Sequence, residues 1–510
     1  MRPKLGILFT VCAAVLAINL DTTIVNVALP SISRELDAGT RTLQWVVDGY
    51  NLAFAGLVLA MGSVSDRFGR RPALIGGLIG FAVSSAAGAL MTSPEALVAA
   101  RAGMGVCAAL IFPTTLSIIA NTFRERGERA VALSVWGAVV GVGVAAGPIL
   151  WGVLLKYFYW GSVFWALVPL ALVAAAMAFR VVPESRDSAV PGLDVPGLVL
   201  SMGLLSVLTW TIIEAPEHGW TSAATLTGFA VVAALLVSFL AWERRTTHPM
   251  VDISLFKDRR FSAASGAVAV TFFSLFGFIF LITQYFQFIR GYGPLSTGAR
   301  IIPVAFSIAA ASVIGGLLAP RIGTKVVVTT GLVLFGLSFL WISTVAVDTA
   351  YPTVVVPQMV LMGLGMGLVS TPATESILLV LPPARAGVGS AVNDATRELG
   401  GTRGVAVVGS VFSSVYASSL ARSDFPGSAL TQAQDSVGAA QSVSASSRHL
   451  TGLFQDAFLA GLHTSSLLIG ILCLAGAVIA LLTLPSRIAL SSAPENPQPP
   501  AGRLQDLTRC

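Results

Sequence analysis

The sequence predicts an all-α, polytopic membrane protein, and three observations carry that prediction. Of the 510 residues, 55% are hydrophobic and only 11% are charged. A soluble domain carries about a quarter charged residues, so most of this chain cannot face water. The mean hydropathy is +0.81. Long apolar runs also recur along the whole length, near 5–31, 44–63, 73–91, 96–119, 130–153, 161–182, 195–213, 224–242, 262–287, 300–319, 325–346, 353–380, 388–416 and 460–484. Each reaches or approaches the ~20 residues that a helix needs to cross ~30 Å of hydrocarbon, which gives about 14 spans. A membrane barrel would instead show segments of about ten residues alternating apolar and polar.

The first run follows Arg2 and Lys4, as a signal peptide would. It is too long for a signal core, carries Asp21 and lacks a small-residue cleavage site, so it reads as a retained span 1. With about 14 spans both termini share a side, and placing them in the cytoplasm sorts the basic residues. The termini and even-numbered loops hold 21 Lys and Arg, the odd loops hold 7, and Arg101, Arg397 and Arg403 lie within spans. This asymmetry is the positive-inside pattern, so the net charge of +6 needs no nucleic-acid partner. The expected location is the cytoplasmic membrane, with both termini inside.

The loop after span 2 reads Gly62-Ser-Val-Ser-Asp66-Arg67-Phe-Gly69-Arg70-Arg71. Glycine permits a tight turn between neighbouring helices, and Asp66 is placed to pair with arginine or cap a helix. Span 4 begins Arg101-Ala-Gly103. Span 5 carries Gly137, Gly141, Gly143, Gly147, Pro148 and Gly152; the four-residue spacings let helices approach closely, and Pro148 removes a backbone donor. Spans 12 and 13 hold Thr374-Glu375-Ser376 and Asn393-Asp394-Ala-Thr-Arg397-Glu398. Residues 417–459, rich in Ser, Ala and Gln, read as a linker and the largest outer loop. The tail from about 486, with Pro-Glu-Asn-Pro-Gln-Pro-Pro, has a composition typical of disorder.

Together these motifs resemble the major facilitator superfamily, and within it the 14-span drug:proton antiporters that export quaternary-ammonium compounds and other lipophilic cations. The loop matches the Gly-x-x-x-Asp-Arg-x-Gly-Arg-Arg signature, and Gly147-Pro148-Ile-Leu-Trp151-Gly152 is similar to the antiporter motif, with Trp151 as a departure. Leu20-Asp21-Thr22-Thr23-Ile-Val-Asn26-Val-Ala-Leu29-Pro30 in span 1 and Gln44-Trp45-Val-Val-Asp48-Gly49-Tyr50 in span 2 resemble the same branch. The second-half copy of the loop, Ala319-Pro320-Arg321-Ile-Gly323-Thr-Lys325, lacks its acid. The resemblance implies two six-helix bundles, 1–185 and 258–490, around a midplane cavity. It further implies an inserted helix pair at 190–245, and a tail at 491–510 lies beyond. Gly62, Asp66, Arg67, Gly69, Arg70 and Arg71 would then govern the change of access, Gly143, Gly147, Pro148 and Gly152 would form the antiporter helix, and Arg101 would join in proton coupling.

Ionisable residues inside spans cost roughly 2.5–3.5 kcal/mol on insertion scales and are functional candidates. They are Asp21, Asp48, Arg101, Glu375, Asp394 and Glu398, with Arg397 and Arg403. Asp394 and Arg397 are spaced to pair on one helix face, whereas Glu398 has no obvious partner on its own helix. Asp48 and Glu375 lie near span ends, where a gate or helix-end role competes with coupling. A carboxyl in a dry cavity holds its proton to higher pH than in water. A lipophilic cation competing for one such acid would displace that proton, giving exchange driven by the proton gradient with no cofactor. Trp45, Tyr50, Phe112, Trp136 and Phe273 are candidates to face a cation with their rings.

Other readings keep less of the sequence. An exporter of one endogenous metabolite, lipid or self-made antibiotic retains the fold and changes the cargo. An intramembrane enzyme needs clustered ligands or a nucleophile–base pair. The histidines, His218, His248, His449 and His463, avoid the depths of the predicted spans. Cys12, Cys107, Cys473 and Cys510 make no disulfide or metal spacing, and no phosphate-binding Gly-x-x-x-x-Gly-Lys-Ser/Thr loop is present. The expected partners are drug-like small molecules, protons and the lipid bilayer. The oligomeric state is open, and a monomer is compatible with everything above.

Overall fold

The computed structural model describes residues 2–123, 152–186, 194–247, 253–379, 386–445 and 447–484, with isolated positions between 125 and 150 and residue 249. Fifteen α-helices follow one another among these residues: α1 Arg2–Glu35, α2 Thr40–Phe68, α3 Arg70–Leu90, α4 Pro94–Thr122, α5 Ser162–Val181, α6 Val195–His218, α7 Ala223–Glu243, α8 Arg259–Gln284, α9 Pro294–Ile322, α10 Thr324–Ile342, α11 Val356–Leu379, α12 Ala386–Ala421, α13 Gly427–Asp435, α14 Val437–Ser444 and α15 Arg448–Thr483. No strand occurs among the described residues. Among the described residues twelve helices are long and apolar enough to span a membrane, and α2, bent by 56° between Val58 and Ala60, makes a thirteenth. The predicted span 130–153 falls largely outside the described residues, as do Pro148 and the tail from 485 onward.

Local chemistry sets the helix ends. Ser93 accepts a hydrogen bond from the Ala96 amide at 3.3 Å just before Pro94 opens α4. Asp194, Ser222 and Asp258 cap α6, α7 and α8 in the same way. Among the turns that require glycine, Gly69 between α2 and α3 has φ 116°, and Gly323 between α9 and α10 has φ 94°. These are the two copies of the loop signature, so one local turn recurs in both halves of the chain.

Packing sorts the spans into two groups. In the N-terminal half α2 lies along α4, α3 packs on α4 and α5, and α1 packs on α4 and α5. In the C-terminal half α9 and α10 pack on α11, while α12 packs on α8 and α15. Small residues permit the closest crossings: a methyl at Gly400 or Gly404 would meet the Ala269 or Phe273 carbonyl oxygen at 2.5 or 2.1 Å. The inserted pair α6–α7 lies at the periphery, with α7 buried only at Thr225, Gly228 and Glu243.

Residues 417–459, expected as a linker, are mostly helical. The end of α12, the short helices α13 and α14, and the first turns of α15 share the segment. Tyr416 donates to the Ala433 carbonyl at 2.9 Å, Gln441 donates to the Phe288 carbonyl at 3.1 Å, and Val437 and Ala440 are buried. Serine and glutamine hide the amphipathic pattern of such short helices; the buried Ala and Val face is their only signal. His463 keeps to the end of its predicted span, in line with the sequence reading. On α15 its Nε2 meets the carbonyl of Val345, in the loop that follows α10, at 2.6 Å.

Candidate functional site

Arg101 and Asp21 meet in the interior of the N-terminal half. Nη1 of Arg101 donates to both Asp21 carboxylate oxygens, at 2.6 and 2.7 Å, and both side chains are shut away from solvent (1% and 0% exposed). Nε of Arg101 donates to the Val46 carbonyl at 3.2 Å, and its guanidinium sits 4.4 Å from the Tyr50 ring centroid. One arginine on α4 therefore ties together α1, α2 and α4. Gly105, one turn further along α4, makes this possible, because a methyl there would lie 2.3 Å from the Tyr50 carbonyl oxygen.

Asp48 lies on α2 two residues from both Val46 and Tyr50, on the opposite face of that helix and outside the hydrogen bonds of the pair. It is completely buried, and among the described residues neither carboxylate oxygen has a hydrogen-bond partner. Asn51, one turn on, likewise leaves Nδ2 without a partner among the described residues. One turn the other way, Gln44 Nε2 donates to the Val405 and Ala406 carbonyls and to Ser410 Oγ on α12, at 3.4, 3.0 and 3.3 Å. An ionised carboxylate in such a place costs several kcal/mol until a proton or a cation compensates it. The sequence singled out Asp48 but not Asn51, whose signal was only a polar residue four-fifths of a turn away on an otherwise apolar span.

Tyr50 stacks on Phe54 with centroids 6.1 Å apart, Phe54 meets Phe112 edge-on at 5.8 Å, and Phe112 meets Trp136 at 5.2 Å. Three of the five aromatic candidates thus join one chain that starts at the Arg101 guanidinium. Trp45 packs elsewhere, against Ile212, Ile213 and Ala406, and Phe273 belongs to the α8–α12 contact.

The second-half candidates are less gathered. Glu375 is exposed on the last turns of α11. Asp394 and Glu398 lie on α12, and their side chains are outside the described residues, so the expected Asp394–Arg397 pair is not described. The Arg397 guanidinium lies 4.4 Å from the Phe272 ring centroid. Nearby, Thr374 Oγ1 donates to Asn393 Oδ1 at 3.3 Å and joins α11 to α12.

The loop signature forms a latch within the N-terminal half. Asp66 accepts from Arg70 Nε at 2.7 Å, the Arg70 amide donates to the Ser185 carbonyl at 2.9 Å, and Arg71 donates to the Phe179 carbonyl. Arg67 lies over Phe68 at 5.9 Å, and Gly62 faces Pro113 of α4. A methyl at Gly69 would come within 2.7 Å of Glu184 Oε1. Of the glycines of span 5, Gly143 presses on Asn19 of α1, Gly147 is buried, and Gly152 abuts Leu295 at the start of α9.

Contacts between the two halves cluster at the end away from this latch. Besides Gln44, Gln287 Nε2 donates to the Val27 carbonyl at 3.1 Å, Arg34 lies over Phe288, and Gly39 approaches the Asp435 carbonyl. That far end is shut. Among the described residues no cluster of His, Cys, Asp and Glu is placed to hold a metal ion.

Comparison with known proteins agrees with this architecture. The chain matches the Major Facilitator Superfamily model over residues 11–405. It is 35% identical to the multidrug efflux pump LfrA of Mycolicibacterium smegmatis, over 91% of this chain and 93% of the relative. It is 30% identical to the tetracenomycin C resistance and export protein of Streptomyces glaucescens, over 93% and 91%. Among solved structures, an inward-facing, unoccupied bacterial homologue of the human lysosomal transporter Spinster superposes with a TM-score of 0.67 at 16% identity, covering 94% of this chain and 97% of that one. Its two helix groups, its peripheral inserted pair and these relatives place the chain in the Major Facilitator Superfamily of membrane transporters.

Proposed function

We propose that the chain is a proton-coupled exporter of lipophilic, often cationic, drug-like molecules across the cytoplasmic membrane, with both termini in the cytoplasm. The observation that carries this reading is Asp48, a buried carboxylate without a hydrogen-bond partner among the described residues, in the same half of the chain as the buried Asp21–Arg101 pair. The export and resistance names of the relatives support the cargo class. The 21-to-7 distribution of basic residues supports the orientation.

In this orientation the shut far end is the outside face, and the structure corresponds to an inward-facing state. Asp48 holds a proton there. A lipophilic cation entering from the cytoplasm or the inner leaflet competes for the same carboxylate. Asp21 has a different role, because Arg101 already neutralises it. Protonating Asp21 frees Arg101, and with it the tie between α1, α2 and α4 that holds this state. Asp394 and Glu398 on α12 are the proposed acids of the second half. The Asp66–Arg70 latch and Gly69 govern the change of access, and Gly143, Gly147, Pro148 and Gly152 line the antiporter helix. No step needs a cofactor or a chemical transformation of the cargo.

The test is ethidium efflux from proteoliposomes under an imposed proton gradient, for the parent and Asp21→Asn. Gradient-driven efflux that Asp21→Asn abolishes supports coupling through this pair. Undiminished efflux by Asp21→Asn rejects that role. A parent that moves only a single metabolite and no unrelated cation rejects the multidrug reading.

A further inference from the structure

The inserted helices α6 and α7 straddle the seam between the halves, and their two sides are attached by different chemistry. Toward α12 one polar link is buried. Ser410 Oγ donates to the Ile212 carbonyl at 2.8 Å, and Ile212 and Ile213 pack on Ala406. A second link on this side, from Trp220 just past α6 to Ser414 Oγ at 3.1 Å, is exposed. Toward α2 the polar link is exposed. Arg41 pairs with Glu214 at 3.0 Å and also with Glu217, on a side chain almost half open to solvent. Further along the same contact, the Met202 thioether lies where a side chain on Gly56 would go.

These links differ in what it costs to part them. An exposed ion pair is worth little, because water replaces each partner and salt screens the attraction. A buried hydroxyl-to-carbonyl bond at the lipid-facing periphery has no such replacement, so breaking it strands both groups. Separation of α2 from α12 at the far end therefore takes the cheaper path. The Arg41 pairs, the Gly56–Met202 contact and the packing of Trp45 on Ile212 and Ile213 open, while the buried Ser410 bond holds.

We infer that the inserted pair is the clasp of the far end: it is carried by the C-terminal half, and its Arg41–Glu214/Glu217 contact with α2 is made and broken as that end shuts and opens. The inference rests on the far end opening during transport, but not on the identity of the cargo. Gln44 lies on the same α2 end and reaches Ser410 from the other side, so the clasp closes over the same contact that shuts the two halves.

The experiment is pulsed-EPR distance measurement in proteoliposomes, on the full chain with its native cysteines replaced by alanine. Spin labels sit pairwise at Asp37→Cys, His218→Cys and Ser418→Cys, which are exposed positions on the α1–α2 turn, α6 and α12. Between alkaline and acidic buffer the 37–418 and 37–218 distances are expected to lengthen together, with 218–418 fixed. Lengthening of 218–418 with 37–218 fixed overturns the inference, as does equal lengthening of all three. In a second variant, Glu214→Gln with Glu217→Gln raises the long 37–218 population by about two- to tenfold at one pH, the effect of one or two exposed ion pairs. An unchanged population in that variant also overturns it. No cargo is present in either arm, so failure of the drug-export reading leaves these distances interpretable.

Discussion

At the scale of single residues, two aspartates that look alike in sequence occupy different situations. Asp21 is already satisfied by Arg101, and removing the arginine strands a buried charge. Arg101→Ala is expected to cost about 3–5 kcal/mol in stability, read as a lowered unfolding midpoint in detergent. The double variant Arg101→Ala/Asp21→Asn is expected to recover part of that loss; a double variant as unstable as the sum of the two singles would show that the pair is not the source. Asp48 predicts the reverse pattern. Asp48→Asn removes no observed hydrogen bond, so the unfolding midpoint stays within about 0.5 kcal/mol of the parent, while gradient-driven efflux falls at least about tenfold. Both aspartates were legible as charges inside apolar runs. Their difference was not, because it depends on which helix α4 faces, and that is set by Gly105 against the Tyr50 carbonyl. Sequence distance between residues 21 and 101 carries no sign of it.

At the scale of elements, the turns and crossings follow from glycine. Gly69 is expected to tolerate no β-branched residue, since φ 116° and the Glu184 carboxylate both oppose a side chain. Gly69→Val should leave the protein in the membrane but cut transport, with looser protection of the α2–α3 turn in hydrogen exchange. Gly39 makes a comparable prediction at the far end. Its Cβ would lie 2.7 Å from the Asp435 carbonyl, so Gly39→Val wedges α13 away from the α1–α2 turn. Labelling of a cysteine placed at Ser33, which is buried beneath α14, should then speed up; an unchanged rate would mean that the helices of 427–444 do not seal that end. The paired turns at Gly69 and Gly323 were legible as two copies of one motif, even though the second lacks its acid. The helices α13 and α14 were not, because eight or nine residues of serine, alanine and glutamine give no apolar run to read.

At the scale of the whole molecule, composition and run length alone predicted a helical bundle of many spans, because the bilayer fixes both the length of each helix and the scarcity of charge. How the bundle divides was carried by motif positions rather than by hydropathy, and which end is shut was not readable at all. That property belongs to contacts between residues hundreds of positions apart, such as Gln44 with Val405 and Ala406, and Gln287 with Val27. The central claim is that proton and cargo compete for one buried acid. Its most direct measurement is the proton count on adding a lipophilic cation to purified protein in weakly buffered detergent. Proton release is expected to saturate with the cation and to vanish in Asp48→Asn; cation binding without proton release, or release that survives in Asp48→Asn, rules out such competition.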